Sequence, residues 1–476
     1  MSIAFGTDGW RGVIADDCTF AEIRRIATAA ARFYVSAPRE GGASPGVGGK
    51  RGRVVVGHDT RFLSPEFARV TAEVFAAAGV DVLLTDRPIP TPAVSFHVRR
   101  LGLRGGVAIT ASHNPGIYNG FKLKAHFGGS APPATYEAVS AESDRPLERA
   151  ARGGTIETAD LATPYRDRLG SLVDLAAIRS SGLRVLADSL HGAAGTLLVE
   201  LLSGGALRVE GFRTRRDPLF GGVHPEPIAA NLAAASDRVV SEGLDLAVAM
   251  DGDADRLGVL DAGGRFVSPH QVLALLLIHA FRNRGVRGGI AKTFSTSFQI
   301  DRIASSLGAP LIETGIGFKH VAELMNRGEA AAGGEESGGY AFAFHLPERD
   351  GVLSALLLIE SLATTGRTLN QALDELAREF GRFEYGRRDV SLPAGVIRSY
   401  LETVRGSPPP AMAGEPITAI ADRDGVKYVF GERGWLLHRL SGTEPLVRLY
   451  CEHEDPAKME QILDEAERRL REFVGN

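Results

Sequence analysis

Three aspartates stand at alternating positions directly after an apolar run. Asp251, Asp253 and Asp255 follow the segment Leu244–Met250, whose composition predicts a buried strand. On an ideal strand alternate carboxylates share one face about 7 Å apart. Mg²⁺ holds its oxygen ligands at about 2.0–2.1 Å, so the chain must curl away from the strand, and Gly252 permits this. The pattern favours a metal site at the carboxyl end of a strand.

The acidic cluster has other interpretations. An EF-hand loop beginning at Asp251 fails, because Arg256 and Ala262 stand where Gly and Glu are required. A phosphatase of the haloacid-dehalogenase type also places Asp-x-Asp after a buried strand, and a solvated acidic turn needs no ion. Carboxylates packed after so apolar a strand repel one another without a cation, which favours the metal.

Ser112 lies in the run Thr110–Pro115, at the end of a short predicted strand. A tight turn at this place can expose its hydroxyl. No Gly-x-Ser-x-Gly elbow surrounds the serine, so a serine-hydrolase triad is poorly supported. Beside a metal site the more natural role is that of a phosphate carrier, and His113 is either a second site residue or an ordinary turn residue.

Two further segments could bind the oxygens of a ligand. The glycine-rich run 333–339 carries the acceptor Glu335 and the hydroxyl of Ser337, although a plain exposed turn has the same composition. Lys122 and Lys124 alternate on one face of a predicted strand, so one can act in the site while the other is solvated.

The run 439–448 is the stronger candidate for binding a phosphate. Arg439 and Arg448 bracket Ser441, Gly442 and Thr443. Two hydroxyls and backbone N–H groups between two guanidiniums make a phosphate nest. This bracketing favours a binding role over two unrelated surface charges.

Composition sets the background for these candidates. The chain has 476 residues, a net charge of −4 and two cysteines without metal-ligand spacing. No global field favours nucleic acid or an anionic membrane, so an anionic substrate must be held by a local cluster of Arg and Lys. No basic segment followed by an apolar one opens the chain. We therefore expect a cytoplasmic enzyme with no nucleic-acid or membrane partner.

The order of predicted elements positions these residues. Strands alternate with helices through most of the chain, which predicts parallel sheets with covered faces. The last ~90 residues differ, with short strands before one long helix, and predict an α+β module. Polar stretches interpreted as linkers are residues 141–160, Asp261–Gly264 and Arg382–Arg388. The resulting prediction is four domains, at residues 1–155, 156–262, 263–382 and 383–476.

Five motifs in this order resemble those of the α-D-phosphohexomutase family, over essentially the whole chain. They are Phe5-Gly-Thr-Asp-Gly-Trp-Arg-Gly12, Thr110-Ala-Ser-His-Asn-Pro115, Asp251-Gly-Asp-Ala-Asp-Arg256, Gly334-Glu-Glu-Ser-Gly338 and Arg439-x-Ser-Gly-Thr-Glu-Pro445. The resemblance implies an α/β fold of three related domains with mixed sheets and a C-terminal α+β domain, arranged around a central cleft.

The resemblance also implies roles for residues. Ser112 matches the phosphoserine, and Mg²⁺ would be held by its phosphate together with Asp251, Asp253 and Asp255. Lys122 matches a general acid/base whose pKa must fall toward neutrality, and Arg11 and His113 match neighbouring active-site positions. The matching substrate contacts are Arg256, Lys319, Glu335, Ser337, Arg439, Ser441, Gly442, Thr443 and Arg448.

The implied activity interconverts hexose 1-phosphate and hexose 6-phosphate, with a sugar 1,6-bisphosphate as intermediate and activator. Glu335-Glu-Ser337, with Thr314–Lys319 upstream, is more similar to the phosphoglucomutase branch, and a phosphomannomutase or dual-specificity enzyme is the alternative. A metal-dependent sugar phosphatase and a non-catalytic sugar-phosphate-binding relative are more remote. The expected partners are small hexose phosphates, and the expected assembly is a monomer or homodimer.

Overall fold

The computed structural model describes residues 3, 5–6, 8–36, 52–440 and 446–475. Within these ranges four principal sheets follow one another along the chain, the first three flanked by helices and the last antiparallel. The architecture is the predicted four-domain α/β arrangement.

The first sheet carries the loop that contains Ser112, between strands β4 and β5, which we call the serine loop. Its strand order is β1-β5-β4-β2-β3-β6, with β2, β3, β4 and β6 parallel and β1 and β5 antiparallel to their neighbours. Its elements are β1 (Trp10–Val13), α1 (Phe20–Ser36), β2 (Arg53–His58), α2 (Ser64–Ala77), β3 (Asp81–Thr85), α3 (Thr91–Arg100), β4 (Gly105–Ile109), β5 (Tyr118–Ala125), α4 (Pro133–Ala141) and β6 (Ile156–Ala159).

The second sheet has the strand order β11-β10-β9-β7-β8. The loop between β9 and β10 contains Asp251, Asp253 and Asp255 and is called the acidic loop. The central strand of this sheet, β9, is the run Leu-Ala-Val-Ala-Met, buried at every position, as a strand covered on both faces requires. The elements are α5 (Ala162–Ser171), α6 (Leu175–Ser180), β7 (Arg184–Asp188), α7 (Leu197–Leu202), β8 (Arg208–Phe212), α8 (Ala233–Glu242), β9 (Leu246–Met250), β10 (Leu257–Asp261) and β11 (Phe266–Val267), with short 3-10 turns at Phe220–Gly222 and Ala229–Asn231.

The third sheet has the order β13-β12-β14-β15. Its first helix begins at a capping box, in which Ser268 accepts from the backbone of Gln271 and the Gln271 side chain reciprocates. The elements are α9 (Pro269–Ile278), β12 (Gly289–Thr293), α10 (Gln299–Leu307), β13 (Leu311–Thr314), α11 (Phe318–Asn326), β14 (Ala330–Gly334), β15 (Tyr340–Phe342), α12 (Gly351–Thr365) and α13 (Leu369–Phe380), with a π-helical turn at His279–Asn283.

The fourth sheet is antiparallel, in the order β16-β22-β21-β20-β19, with β17 and β18 forming a separate pair. One face of its strands packs against the third domain through the aromatic cluster of Phe294, Trp435 and Tyr450. The elements are β16 (Glu384–Ser391), α14 (Ala394–Gly406), β17 (Ala411–Met412), β18 (Glu415–Pro416), β19 (Ala419–Ala421), β20 (Val426–Val429), β21 (Gly434–Leu440), β22 (Leu446–His453) and α15 (Pro456–Gly475).

Two of the segments interpreted as linkers are parts of sheets. Asp261–Gly264 is the turn that joins β10 to β11, and most of Arg382–Arg388 forms the start of β16. β16 is an edge strand of its sheet, and its Arg388 reaches the carboxylates of the last helix. β6 pairs with β3 just beyond residue 155, and the predicted domain limits remain predictions.

Among the residues described, no single helix is both long and apolar enough to span a membrane; α12 and α13, bent by 87°, pass together by length and composition.

Candidate active site: a serine loop against a buried carboxylate cluster

Ser112 lies in the turn between β4 and β5, with a left-handed backbone at φ 52°. Its backbone N–H donates to Thr110 Oγ1 at 2.9 Å, and its hydroxyl donates to Asp251 Oδ2 at 2.9 Å. The serine is 139 residues from this aspartate in the chain, yet the two loops meet because both leave the carboxyl ends of strands.

Arg61, which follows β2, binds the serine loop through backbone carbonyl oxygens of that loop. Its guanidinium is fully buried, and its Nε donates to Asp59 Oδ2 at 3.0 Å. The remaining donors bind carbonyl oxygens of the loop at 2.6–3.0 Å, namely those of Pro115, Tyr118, Ser112 and Asn114. Sequence reasoning missed this residue; the polar run His58–Arg61 after a buried strand was the available signal.

The three aspartates converge as predicted. One oxygen from each of Asp251, Asp253 and Asp255 lies within 4.8 Å of the others, and all three side chains are buried. Burial, followed by the neighbouring carboxylates of Asp255 and Asp253, raises the pKa of Asp251 well above its ordinary value. Asp253 Oδ1 and Asp255 Oδ1 have no hydrogen-bond partner in the described part of the chain. A small divalent cation, which prefers oxygen ligands, fits this donor set.

The acidic loop is shaped by Asp251 and by close backbone approach. Asp251 Oδ1 accepts from the backbone N–H groups of Asp255 and Arg256, at 2.9 and 3.1 Å. The positive φ of this loop falls on Ala254, not on Gly252. A Cβ at Gly252 would lie 2.4 Å from the carbonyl oxygen of Ser112, so glycine is required here for the two loops to touch.

Lys122, on β5, lies among carboxylates from two domains. Its Nζ is 2.8 Å from Asp253 Oδ2, 3.0 Å from Asp8 Oδ2 and 3.5 Å from Asp255 Oδ2. Burial alone would lower the pKa of Lys122, but these carboxylates outweigh it and raise that pKa above its ordinary value. The expected fall toward neutrality assumed a nearby Mg²⁺ as well as burial, whereas these three carboxylates stabilise the ammonium.

Lys124 is not the solvated partner of Lys122 that alternation allowed. It is fully buried and lies 2.6 Å from Glu348 Oε2. Ser95 and Ser130 also donate to the Glu348 carboxylate, at 3.1 and 3.4 Å. The second lysine therefore ties the first domain to the segment before α12.

Arg11 contacts the serine loop, and His113 is part of that loop. Arg11 Nη1 donates to Asn114 Oδ1, and burial lowers the pKa of Arg11. Burial, followed by the positive charges of Arg256 and Arg11, holds the pKa of His113 well below its usual range. His113 is therefore neutral, and its Nδ1 is a buried atom without a hydrogen-bond partner among the residues described.

Asp8 and Arg349 complete the cluster. The Arg349 guanidinium donates to Asp8 Oδ2 at 2.9 Å, Asp255 Oδ2 at 2.6 Å and Glu335 Oε2 at 3.2 Å. Burial raises the pKa of Asp8, but Lys122 and the neighbouring cations lower it well below the ordinary value. Arg349 was missed because a lone arginine before α12 carries no local pattern.

Of the residues predicted to bind the sugar, Glu335 contacts the carboxylate cluster through Arg349, and Lys319 does not within the part of the chain that the structure describes. Burial raises the pKa of Glu335 to about 7, with Arg349 opposing and Glu336 adding to the shift. Ser337 Oγ is buried and lacks a partner within the described ranges. Lys319 lies in the first turn of α11, and no contact of its side chain with these residues is observed in the described structure.

Arg256 stands beside the acidic loop. Its Nη1 is 3.5 Å from Glu226 Oε1, and its Nε is 3.9 Å from Asp255 Oδ1. This charge lies beside both the acidic loop and His113.

The C-terminal arginines stand side by side on the fourth sheet. Arg439 on β21 pairs directly with Arg448 on β22. Arg439 Nε donates to Asp424 Oδ1 at 3.1 Å, and Arg448 Nε lies 3.7 Å from Asp389 Oδ2. Ser441, Gly442 and Thr443 lie outside the described residues, so their predicted role is untested.

Four family descriptions match the chain in order. Phosphoglucomutase/phosphomannomutase alpha/beta/alpha domains I, II and III match residues 2–149, 163–264 and 268–380, and the C-terminal domain of the same family matches residues 406–469.

Whole-chain relatives agree with these matches. A phosphoglucomutase/phosphomannomutase of Thermococcus kodakarensis is 30% identical, covering 98% of this chain and 97% of its own. A phosphoglucosamine mutase of Hahella chejuensis is 29% identical, covering 97% of each. A solved structure from Thermus thermophilus, provisionally named a phosphomannomutase, has 38% identity and a TM-score of 0.85 over 99% of this chain and 100% of its own.

A four-domain α/β fold with a serine hydroxyl against a buried carboxylate triad defines a phosphohexomutase, an isomerase that works by phosphoryl transfer. The chain belongs to the phosphoglucomutase/phosphomannomutase family. This family depends on a phosphoserine and on a metal ion, and the buried aspartates of this chain could hold that ion.

Proposed function

We propose that this protein interconverts hexose 1-phosphates and hexose 6-phosphates, with glucose phosphates as the preferred pair, through a phosphate carried on Ser112. The observation that supports it most is the hydrogen bond from the Ser112 hydroxyl to Asp251 within the aspartate cluster. Asp251, Asp253 and Asp255, with the phosphate of Ser112, would hold Mg²⁺, which supplies electrostatic stabilisation of the transferring phosphoryl group.

In the proposed transfer, a sugar hydroxyl oxygen forms a bond to phosphorus while the bond between phosphorus and Ser112 Oγ breaks. The product is a sugar 1,6-bisphosphate and a free serine hydroxyl. After the sugar turns around, its other phosphate returns to Ser112 Oγ. Arg61 keeps this oxygen in place throughout, because it binds the loop through four carbonyl oxygens.

We assign Lys122 the general acid/base role. With three carboxylates around it, Lys122 is charged, so it donates a proton to the Ser112 oxygen as the bond to phosphorus breaks. The proton of the attacking sugar hydroxyl then passes to the neutral amine of Lys122, and the return transfer to Ser112 uses the same two steps in reverse. Neutral His113 and charged Arg11 line the same side and would bind phosphoryl oxygens.

The remaining contacts select the sugar. Glu335 and Ser337 would accept and donate hydrogen bonds to sugar hydroxyls, and Arg439 and Arg448, with the loop 441–445, would bind the phosphate that is not being transferred. Arg256 and Lys319 would supply further positive charge. Mannose phosphates are the second candidate, supported by the name of the Thermus relative.

The test is kcat/KM with glucose, mannose and glucosamine 1-phosphates, measured with Mg²⁺ and the matching bisphosphate. We expect the highest value for glucose 1-phosphate. A glucosamine preference, the activity named for the Hahella relative, would overturn the sugar assignment but leave the mutase chemistry intact.

The carrier is tested separately by mapping the phosphorylated peptide. We expect phosphate on Ser112 and no turnover after Ser112→Ala, with Ser130→Ala as a buried-serine control that retains turnover. Phosphate trapped on Asp251 would instead indicate a phosphatase, and wild-type rates in Ser112→Ala would remove the proposed mechanism.

A further inference from the structure

One guanidinium connects three parts of the site that come from different domains. Arg349 lies before α12 and is 7% exposed. Its two terminal nitrogens reach Asp8 near β1, Asp255 in the acidic loop and Glu335 in the glycine-rich run. No motif used to interpret the sequence contains this arginine.

The two terminal nitrogens of the Arg349 guanidinium bind different carboxylates. Nη2 binds Asp255 Oδ2 at 2.6 Å, while Asp255 Oδ1 has no hydrogen-bond partner among the described residues. Nη1 binds Glu335 Oε2 at 3.2 Å. A planar fork can therefore fix a carboxylate of the acidic loop with one nitrogen and a carboxylate of the sugar loop with the other.

The Arg349 side chain fits beside position 339 because that residue is a glycine and has no Cβ. A Cβ at Gly339 would lie 2.2 Å from Arg349 Cδ. The Phe318 ring lies 5.5 Å from the guanidinium carbon on another side. The position of the fork is thus set by its own packing as well as by its ion pairs.

From this geometry, and resting on the proposed function, we infer that Arg349 is a positioning residue that aligns the sugar-recognition loop with the metal-binding loop. It does so by holding Glu335 and Asp255 at a fixed separation. It leaves Asp255 Oδ1, which accepts no hydrogen bond within the described ranges, for the cation and presents Glu335 to the sugar. Charge alone does not suffice, because an ammonium is a single point charge without the two-pronged geometry.

The first test measures binding by calorimetry, with Ser112→Ala as the background so that no transfer occurs. In Arg349→Lys and Arg349→Gln we expect the Kd for Mg²⁺ to rise about tenfold, the usual scale for removing a residue that orients a metal ligand. Restoration of both Mg²⁺ and hexose 6-phosphate affinity to within twofold by lysine would overturn the alignment role.

The second test is a double-mutant cycle on the Kd for hexose 6-phosphate. Because Arg349 acts through Glu335, we expect Arg349→Gln and Glu335→Gln each to weaken binding about tenfold and the double variant to be no weaker than either. Additive losses would overturn the inference. If the wild type turns over no hexose phosphate, the proposed function fails; turnover with an additive cycle defeats only the role of Arg349.

Two further variants guard against a simple folding defect. Gly339→Ala leaves every charge in place but pushes the arginine stem, so it should reproduce the weaker Mg²⁺ binding; unchanged binding would contradict us. Arg284→Gln is the matched control, since Arg284 also joins two domains, through Glu360 and the carbonyl of Leu172. It should lower the melting temperature without changing either Kd.

Discussion

The serine loop and the fourth sheet, which are the two ends of the proposed active site, differ in how their charges are paired. Around Ser112 the carboxylates of the acidic loop are buried, and two of their oxygens lack hydrogen-bond partners in the described structure. At the fourth sheet, Arg439 and Arg448 are partly exposed and each lies beside a carboxylate, Asp424 or Asp389. Among the described residues, the acidic loop therefore has carboxylate oxygens without donors, whereas each arginine of the fourth sheet already has a carboxylate beside it.

Because of this difference, we expect substitutions in the two places to affect different steps. Buried carboxylates without partners are unfavourable until a cation binds them, so loss of one aspartate should affect the chemical step most. At the other end a substrate phosphate must replace an internal carboxylate, so substitutions there should change mainly KM.

The largest effect is expected from Asp251→Asn. This change removes one negative charge from the proposed metal site while retaining a side chain that can still accept the loop N–H groups. We expect kcat/KM to fall by about 10³-fold, comparable to losing a principal electrostatic contact. Without Mg²⁺, at a pH high enough to ionise Asp251, the same variant should melt at a higher temperature than the wild type, because burial and the neighbouring carboxylates disfavour that ionised form.

Both readouts are needed for that comparison. Calorimetric melting of metal-free protein is paired with steady-state kinetics, and Asp245→Asn, a partly exposed carboxylate beside Arg184, is the control. A lower metal-free melting temperature for Asp251→Asn would contradict the account of repulsion between the buried carboxylates.

Arg61→Lys should have the next largest effect. The guanidinium binds four carbonyl oxygens of the serine loop, and an ammonium has only three donors on one atom. We expect kcat to fall about 100-fold with little change in KM, because a misplaced nucleophile loses alignment more than binding. Rapid-quench measurement of the transfer step would check this; a change confined to KM would contradict it.

Much of this end was predictable from the chain. Ser112 and the three aspartates were identified because each follows a short apolar strand, and strand ends meet at one edge of a parallel sheet. Arg61 and Arg349 were not identified, since their importance lies in contacts with distant parts of the chain: Ser112 is 51 positions from Arg61, and Asp255 is 94 positions from Arg349. Periodicity reports the local face of an element and carries no information on such partners.

The charges of lysines were less predictable than their positions. Alternation placed Lys122 and Lys124 on one face of β5, which the structure bears out, but both are buried. Which carboxylates surround each ammonium depends on the packing of β5 against other domains. The carboxylates that raise the pKa of Lys122 come from other parts of the chain, which the pattern of its own strand does not report.

A smaller effect is expected at the binding end. Arg439→Ala should raise KM for hexose phosphate about tenfold and leave kcat within about twofold, because it removes a charge-assisted contact made in both ground and transition states. Asp424→Asn should shift KM the other way, by about twofold, since the substrate phosphate no longer displaces an anion from Arg439.

Steady-state kinetics on both variants would check this exchange of partners. Asp422→Asn, two residues away and beside Arg405, is the matched control. If Asp424→Asn raises KM, then holding the backbone N–H of Ile316, which Asp424 also binds at 2.8 Å, matters more than releasing Arg439.

The smallest effect is the pH dependence that Glu335, in the glycine-rich run 333–339, should give to substrate binding. Burial raises the pKa of Glu335 to about 7, so its protonated form predominates below that value. A raised pKa in the folded protein favours folding at low pH, and this contribution declines as pH rises from about 4.5 to about 7. Hydroxyl binding changes in the opposite sense, because a carboxylate accepts hydrogen bonds more strongly than a carboxylic acid.

We therefore expect KM for hexose phosphate to fall about threefold between pH 6 and pH 8, while the melting temperature declines slightly over the lower half of that range. Glu335→Gln should lose this part of both profiles and retain only the titration of the substrate phosphate. Identical KM profiles for the two proteins would mean that the sugar hydroxyls do not bind Glu335. Glu335 would then serve only to position Arg349 and, through it, the metal-binding aspartates.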